Sequence, residues 1–243
     1  MINWLIQSNS AHPDLDRGIA PAVLLSAEEA ARFASLRNEK RRREWLLGRW
    51  TAKHLLQIVI RNAWEELLPL NELSIYNLPN GAPCFNSKIP VSLSISHRDN
   101  YAFCAAIDRP YWPLGADLER VESRAATFEQ EYFTKIERTQ INQSPAEKQS
   151  LLVTAIWSIK EAALKALKLG LVVDTRSVSC VLGPHANIQG SWSSVDISLD
   201  PHRLSPIFRS KKRSPAASHE LPLLTGWWRA WDDYVLALVS SII

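Results

Sequence analysis

The sequence is poor in cysteine. It has three, Cys84, Cys104 and Cys180, odd in number and far apart. That spacing excludes a disulfide framework and the paired ligands of a zinc site, and a reducing cytoplasm is its simplest setting. The amino terminus, Met1-Ile-Asn-Trp-Leu-Ile-Gln, lacks the basic start, long apolar run and cleavage site of a secretory signal. The apolar stretch Tyr234 to Ile243 is too short to span a bilayer and reads as a buried strand, so no membrane partner is expected. The formal net charge of +3 is too small to imply a nucleic-acid partner by itself. No internal repeat is visible at the level of residues.

What is present fits a folded chain. The 243 residues suffice for one large domain or two of about 100–150 residues each. A composition 46% hydrophobic and 22% charged excludes disorder along most of the length. Residues 2–6 suit a short strand. Ser26-Ala-Glu-Glu29 is a capping box that starts a helix. A second helix is expected from about Glu39 to Ala63, with Trp45, Ala52, Leu56 and Val59 facing a core and Arg42, Arg49 and Lys53 on a neighbouring stripe. Pro90 to His97 alternates apolar and small polar residues, the period of a half-buried strand, and Tyr101 to Ile107 and Leu114 to Glu119 are further strands. Residues 127–140 read as one helix and Ala146 to Lys168 as a longer one, with strands near 176–182, 192–199 and 225–240. The Pro-, Ser- and Lys/Arg-rich stretch after Leu204 reads as an exposed loop. Each half places helices before strands, which suits two similar subdomains.

Two places carry chemistry. In the strand Gly115-Ala-Asp-Leu-Glu119, residues two apart share a face, so Asp117 and Glu119 stand together beside the space left by Gly115. Two adjacent carboxylates repel unless a cation or proton intervenes, and hard oxygen ligands suit Mg²⁺. A solvated acidic edge accounts for this pair alone equally well. In the helix Trp157-Ser-Ile-Lys-Glu-Ala-Ala-Leu-Lys165, positions 157, 161 and 165 form one stripe, presenting an acid and a base beside an aromatic ring. Alone, Glu161 and Lys165 read as an ordinary surface ion pair.

Together, G-x-D-x-E at 115–119 and W-[ST]-x-K-E-[AS]-x-x-K at 157–165 resemble the two signature motifs of the Sfp-type 4'-phosphopantetheinyl transferases, at every fixed position and at the family's usual separation. Lys40-Arg-Arg-Arg-Glu-Trp-Leu-Leu-Gly-Arg49 resembles the family's basic helix, which grips the 3'-phosphate end of coenzyme A. Guanidinium groups bind phosphate oxygens in pairs. By motif, Arg42, Arg49 and Lys53 are the candidates, while Lys40 and Arg41 read as a solvated face. Ser94-Ile-Ser-His97 resembles the segment whose serine and histidine touch coenzyme A phosphates, which makes Ser96 and His97 candidates. An anion there would favour the protonated imidazole. One position departs from the pattern. Asn80-Gly-Ala-Pro83 matches the family's G-[KR]-P turn, but Ala82 replaces the basic residue. The resemblance covers about residues 26–180.

The resemblance implies an α+β monomer built as a pseudo-two-fold pair of similar α/β subdomains, residues 1–112 gripping the 3'-phosphate and residues 113–243 carrying the metal and catalytic groups. Coenzyme A would lie in the cleft between them. It implies transfer of 4'-phosphopantetheine from coenzyme A to a serine of an apo acyl or peptidyl carrier protein, releasing 3',5'-ADP. Mg²⁺ would be held by Asp117, Glu119 and Glu161. Glu161 would also serve as base, Lys165 would stabilise or protonate the leaving pyrophosphate oxygen, and Lys160 would touch phosphate. The charge of Arg209, Lys211, Lys212 and Arg213 suits steering of an acidic carrier, whether of fatty-acid, polyketide or peptide-synthetase type, and a solvated loop accounts for these four residues equally well. Two alternatives stay open: another Mg²⁺-dependent nucleotide phosphotransferase or hydrolase, and a non-catalytic nucleic-acid-binding protein using the arginine run.

Overall fold

In the computed structural model, which describes residues 1–85, 89–170, 173–183, 190–204 and 221–241, strand β1 (Asn3–Ser8) leads through a short helix α1 (Pro13–Asp16) to α2 (Ala27–Ala34). The expected capping box is made in full: Glu29 N–H donates to Ser26 Oγ at 3.3 Å, and Ser26 N–H to Glu29 Oε2 at 3.0 Å. Helix α3 (Glu39–Trp64) begins at Asn38, whose side chain accepts from the Arg41 amide, and ends with Glu65 in the left-handed conformation. A small ribbon, β2 (Ile75–Asn77) and β3 (Pro83–Phe85), precedes the hairpin of β4 (Ser92–Arg98) and β5 (Tyr101–Ile107). After these come β6 (Leu114–Arg120), the helices α4 (Ala126–Tyr132), α5 (Lys135–Asn142) and α6 (Ala146–Ala166), and the strands β7 (Val178–Leu182), β8 (Ser193–Leu199), β9 (Leu224–Trp231) and β10 (Tyr234–Ser241).

The chain forms two compact units, Met1–Leu118 and Glu119–Ile243. The first holds an antiparallel sheet of order β1-β5-β4 with α3 packed upon it. Leu55, Leu56, Val59 and Ile60 of α3 meet Leu93, Cys104 and Ala106 of the sheet. Gly48 lets the helix approach β4 closely, since a Cβ there would lie 3.4 Å from Ile95 Cγ2. The second unit carries antiparallel strands in the order β10-β9-β8-β7 with α6 packed on β10, β7 and β9. Ile156, Ile159 and Ala163 of that helix are fully buried with Val178, Val235, Ala237 and Val239. Among the described residues no helix is long and apolar enough to cross a membrane.

Two expectations need correction. Residues 127–140 are not one helix. Phe133 and Thr134 are extended, and Thr134 opens a second capping box, its amide donating to Glu137 Oε2 at 2.6 Å, so α5 starts afresh. A repeat also exists at the level of residues. Trp50-Thr-Ala-Lys53 on α3 matches Trp157-Ser-Ile-Lys160 on α6, and Ser26-x-x-Glu29 matches Thr134-x-x-Glu137. In both units the capping-box glutamate is buried, pairs ionically with the buried lysine, and accepts a backbone amide from a later strand. These amides are Ile75 N–H to Glu29 Oε1 at 3.2 Å and Cys180 N–H to Glu137 Oε1 at 2.8 Å. The repeat hides in the sequence because its members are short and widely spaced, while the residues between them differ.

Candidate functional site

Helix α3 and the β2–β3 ribbon of the first unit enclose a cavity of about 680 Å³. Arg32, Arg41, Arg49 and His97 bring positive charge to its wall, and Glu28, Glu29 and Glu44 bring negative charge. Glu29 is neutralised internally, by Lys53 and Arg49. Arg49 is only 6% exposed. Its Nε stands 3.2 Å from Glu29 Oε1 as an ion pair misaligned for a hydrogen bond, and its Nη2 donates to Asn77 Oδ1 at 3.1 Å. Its guanidinium lies 4.6 Å from the centre of the Trp45 ring. Burial lowers the Arg49 pKa, and the neighbouring Glu29 charge opposes that shift. Asn77 Nδ2 in turn donates to Gly81 O at 2.7 Å, so Arg49 is tied to the turn that carries Ala82. Gly81 sits at φ 86°, a conformation that favours glycine. His97 is exposed, its Nδ1 4.0 Å from Glu44 Oε2, an ion pair when the ring is protonated.

The structure sets three of the expected phosphate ligands, Lys53, Lys160 and Arg42, elsewhere. Lys53 is fully buried. Its ammonium donates to Glu29, to Leu24 O at 2.7 Å and to Leu70 O at 3.0 Å. An ammonium has three donors, so nothing is left for a ligand. Burial lowers its pKa, and its hydrogen bond to Glu29 opposes this. Lys160 is the same device in the second unit: fully buried, it donates to Thr175 O at 3.0 Å and to Val178 O at 2.5 Å and forms an ion pair with Glu137 at 3.0 Å. Both lysines bind backbone and glutamate. Arg42 closes the end of α2 instead of lining the cavity. Its Nη1 donates to Phe33 O and Leu36 O, each at 3.1 Å, and its guanidinium lies 4.0 Å from the Phe33 ring centre. Arg41, read from sequence as a solvated cation, lines the cavity in its place, as does Arg32 of α2.

The carboxylates lie on β6 and α6. Asp117 is buried at 3% exposure and accepts a 3.0 Å hydrogen bond from Ser96 Oγ at its Oδ1. Glu119 is half-buried, 3.5 Å from Arg124 Nη2. Glu161 and Lys165 are half-buried on successive turns of α6, while Trp157 packs into an aromatic cluster 5.0 Å from Phe128 and 5.3 Å from Tyr132. Among the described residues, no three His, Cys, Asp or Glu side chains gather closely enough to hold a metal by themselves. The donor chemistry still fits Mg²⁺, which takes one or two carboxylates and completes its shell with substrate phosphates and water. Asp117 and Glu119 supply such a pair on alternate positions of one strand. Arg209, Lys211, Lys212 and Arg213 lie outside the described residues.

Glu29 and Glu137 are the charged residues that sequence reasoning passed over as partners of the lysines. The available signal was the recurrence of [ST]-x-x-E ahead of W-[ST]-x-K in both halves.

The model of the 4'-phosphopantetheinyl transferase superfamily matches residues 113–239, and the chain belongs to that superfamily of enzymes. This agrees with the paired motifs at 115–119 and 157–165. The chain is similar to the 4'-phosphopantetheinyl transferase psf-1 of Bacillus pumilus, 23% identical over 175 residues, covering 70% of this chain and 74% of that one. It is similar to the 4'-phosphopantetheinyl transferase Sfp of Bacillus subtilis, 26% identical over 167 residues, covering 64% and 70%. It also resembles a holo-[acyl-carrier-protein] synthase of Staphylococcus haemolyticus, 32% identical over 81 residues, covering 32% and 67%.

Proposed function

We propose that this protein transfers the 4'-phosphopantetheine group of coenzyme A to a serine hydroxyl of an apo carrier protein in a Mg²⁺-dependent reaction that releases 3',5'-ADP. The observation that carries this reading is the arginine-lined cavity of about 680 Å³ in a chain of this superfamily. Coenzyme A carries a 3'-phosphate and a pyrophosphate, and a cavity with Arg32, Arg41, Arg49 and His97 on its wall offers the charge-assisted hydrogen bonds such groups need. The exposed Arg32 and Arg41 supply the cations that Ala82 does not. Arg49 is pre-oriented by Glu29 and Asn77, so little ordering entropy is lost when a ligand binds.

Asp117 and Glu119 would hold the metal, with Glu161 beyond them as a further carboxylate. Bound Mg²⁺ would neutralise charge that develops on the pyrophosphate as the anhydride breaks. Glu161 would take the serine proton, directly or through water. Lys165, one turn on, would stabilise or protonate the leaving oxygen. The remaining rate enhancement would come from positioning. This reading also includes a cytoplasmic, monomeric enzyme.

Binding of coenzyme A and of dephospho-coenzyme A by calorimetry tests the ligand directly. The reading expects coenzyme A to bind at least about tenfold tighter, the worth of one charge-assisted contact. Equal affinity would remove the 3'-phosphate grip from the account.

A further inference from the structure

Strand β4 reads Ser92-Leu-Ser-Ile-Ser96, and its two faces do different things. Leu93 and Ile95 belong to the core beneath α3. The three serines, two apart and so on the opposite face, each bind the segment that leads into β6. Ser92 Oγ donates to Arg109 O and accepts from the Trp112 amide, both at 2.8 Å. Ser94 Oγ, in a residue 3% exposed, accepts from the Ala116 amide at 2.9 Å. Ser96 Oγ, in a residue 7% exposed, donates to Asp117 Oδ1 at 3.0 Å. All of these residues lie within the first unit. The hydroxyls form a ladder whose rungs climb from the proline-rich connection to the Asp117 carboxylate.

From this ladder we infer that Ser96 is a positioning residue for Asp117, resting on the reading of Asp117 as a metal ligand. A serine hydroxyl has one proton. In this structure it goes to Asp117 Oδ1, so it is not available to a phosphate oxygen, which is itself an acceptor. That hydrogen bond restrains the rotation of the carboxylate at its Oδ1. Ser94, one rung earlier, fixes the backbone at Ala116 and so the height of Asp117 along the strand. Partners of this kind hold a metal-binding carboxylate in its working orientation, and losing one typically costs about 10–100-fold in metal affinity.

The test is Mn²⁺ binding to the protein with coenzyme A present, followed by the electron paramagnetic resonance signal of the free ion. Coenzyme A affinity without metal and the melting temperature are measured beside it. Ser96→Ala should weaken Mn²⁺ binding about tenfold or more and leave metal-free coenzyme A affinity unchanged. Ser96→Thr, which keeps the hydroxyl, should restore Mn²⁺ binding. Asp117→Asn should lose it. Unchanged Mn²⁺ affinity in Ser96→Ala, with weaker metal-free coenzyme A binding, would return the hydroxyl to the phosphate and overturn the inference. Unchanged Mn²⁺ affinity in Asp117→Asn would remove the metal reading itself and the inference with it. Loss in Asp117→Asn without loss in Ser96→Ala would sink the inference alone.

Discussion

Lys160→Met removes the cation from a buried pair while nearly keeping the volume of the side chain. In the wild type the ammonium meets Glu137 Oε1 at 3.0 Å and two carbonyl oxygens, all of it at 0% exposure. The substitution leaves Glu137 buried with its charge facing Thr175 O and Val178 O in place of an ammonium. Breaking a buried pair from one side costs about 3–5 kcal/mol. For a chain of this size each kcal/mol lowers Tm by roughly 2–4 °C, so the fall should be about 10 °C. Glu137 accepts from the Thr134 amide at Oε2 and from the Cys180 amide at Oε1, so a glutamine in its place keeps an acceptor for one of these donors and loses it for the other. The double variant Glu137→Gln/Lys160→Met keeps an acceptor oxygen and removes both charges. It should recover part of the lost stability, because neither charge is then stranded. Thermal and urea unfolding of the two singles and the double give the coupling. Coenzyme A affinity of Lys160→Met, measured below its Tm, should stay within about twofold of wild type, whereas a phosphate-binding lysine would lose about tenfold or more on removal. A Lys160→Met protein of normal stability and poor coenzyme A affinity would refute the internal role.

Other outcomes follow from the same geometry. Arg41→Ala, at an exposed cavity residue, should weaken coenzyme A binding about tenfold with no change in Tm, as read by calorimetry and thermal melts. Arg49→Met should lower both, since it strands part of the Glu29 charge and removes a cavity cation. Asp174 is held down to about 2, chiefly by hydrogen bonds from Arg176, with Arg203 also adjacent. Its depressed pKa contributes stability present above the unfolded carboxylate range, near 4, and lost as pH falls through about 2. Because the cluster is part exposed, Asp174→Asn should cost under about 1 kcal/mol at neutral pH, less in high salt, and nothing in acid below that window. Burial raises the Cys180 thiol pKa, and Cys104 is buried too, so alkylation of the native protein should mark Cys84, the half-buried thiol, ahead of the other two.

Much of the fold is legible in the sequence where one face of an element is apolar and the other is not. Helix α3, the β4–β5 hairpin and α6 follow from periodicity alone, because burial of Leu56, Val59, Ile156 and Ile159 selects a single face. The break at Thr134 was missed because the apolar spacing runs on through it, and only the capping box marks the new start. At the site, the sequence placed the carboxylates and the arginine-rich helix on the right elements. It could not separate cations by their depth. Lys53 and Arg41 both sit on the basic stretch of α3, yet one is enclosed by Glu29 and two carbonyls while the other faces the cavity. A lysine four residues past an arginine has the same pattern whether its partner is a ligand or a glutamate from another helix. The role of Ser96 was hidden for a related reason: its partner lies on another strand, and strand pairing by side chains leaves no periodic trace.

The central claim is settled most directly by incubating the protein with coenzyme A, Mg²⁺ and an apo acyl carrier protein and weighing the carrier. The account predicts that the carrier gains the mass of one phosphopantetheine, that 3',5'-ADP appears in equal amount, and that Asp117→Ala and Glu161→Ala each abolish the gain. A carrier of unchanged mass across a panel of apo carriers, or normal modification by both variants, would contradict it.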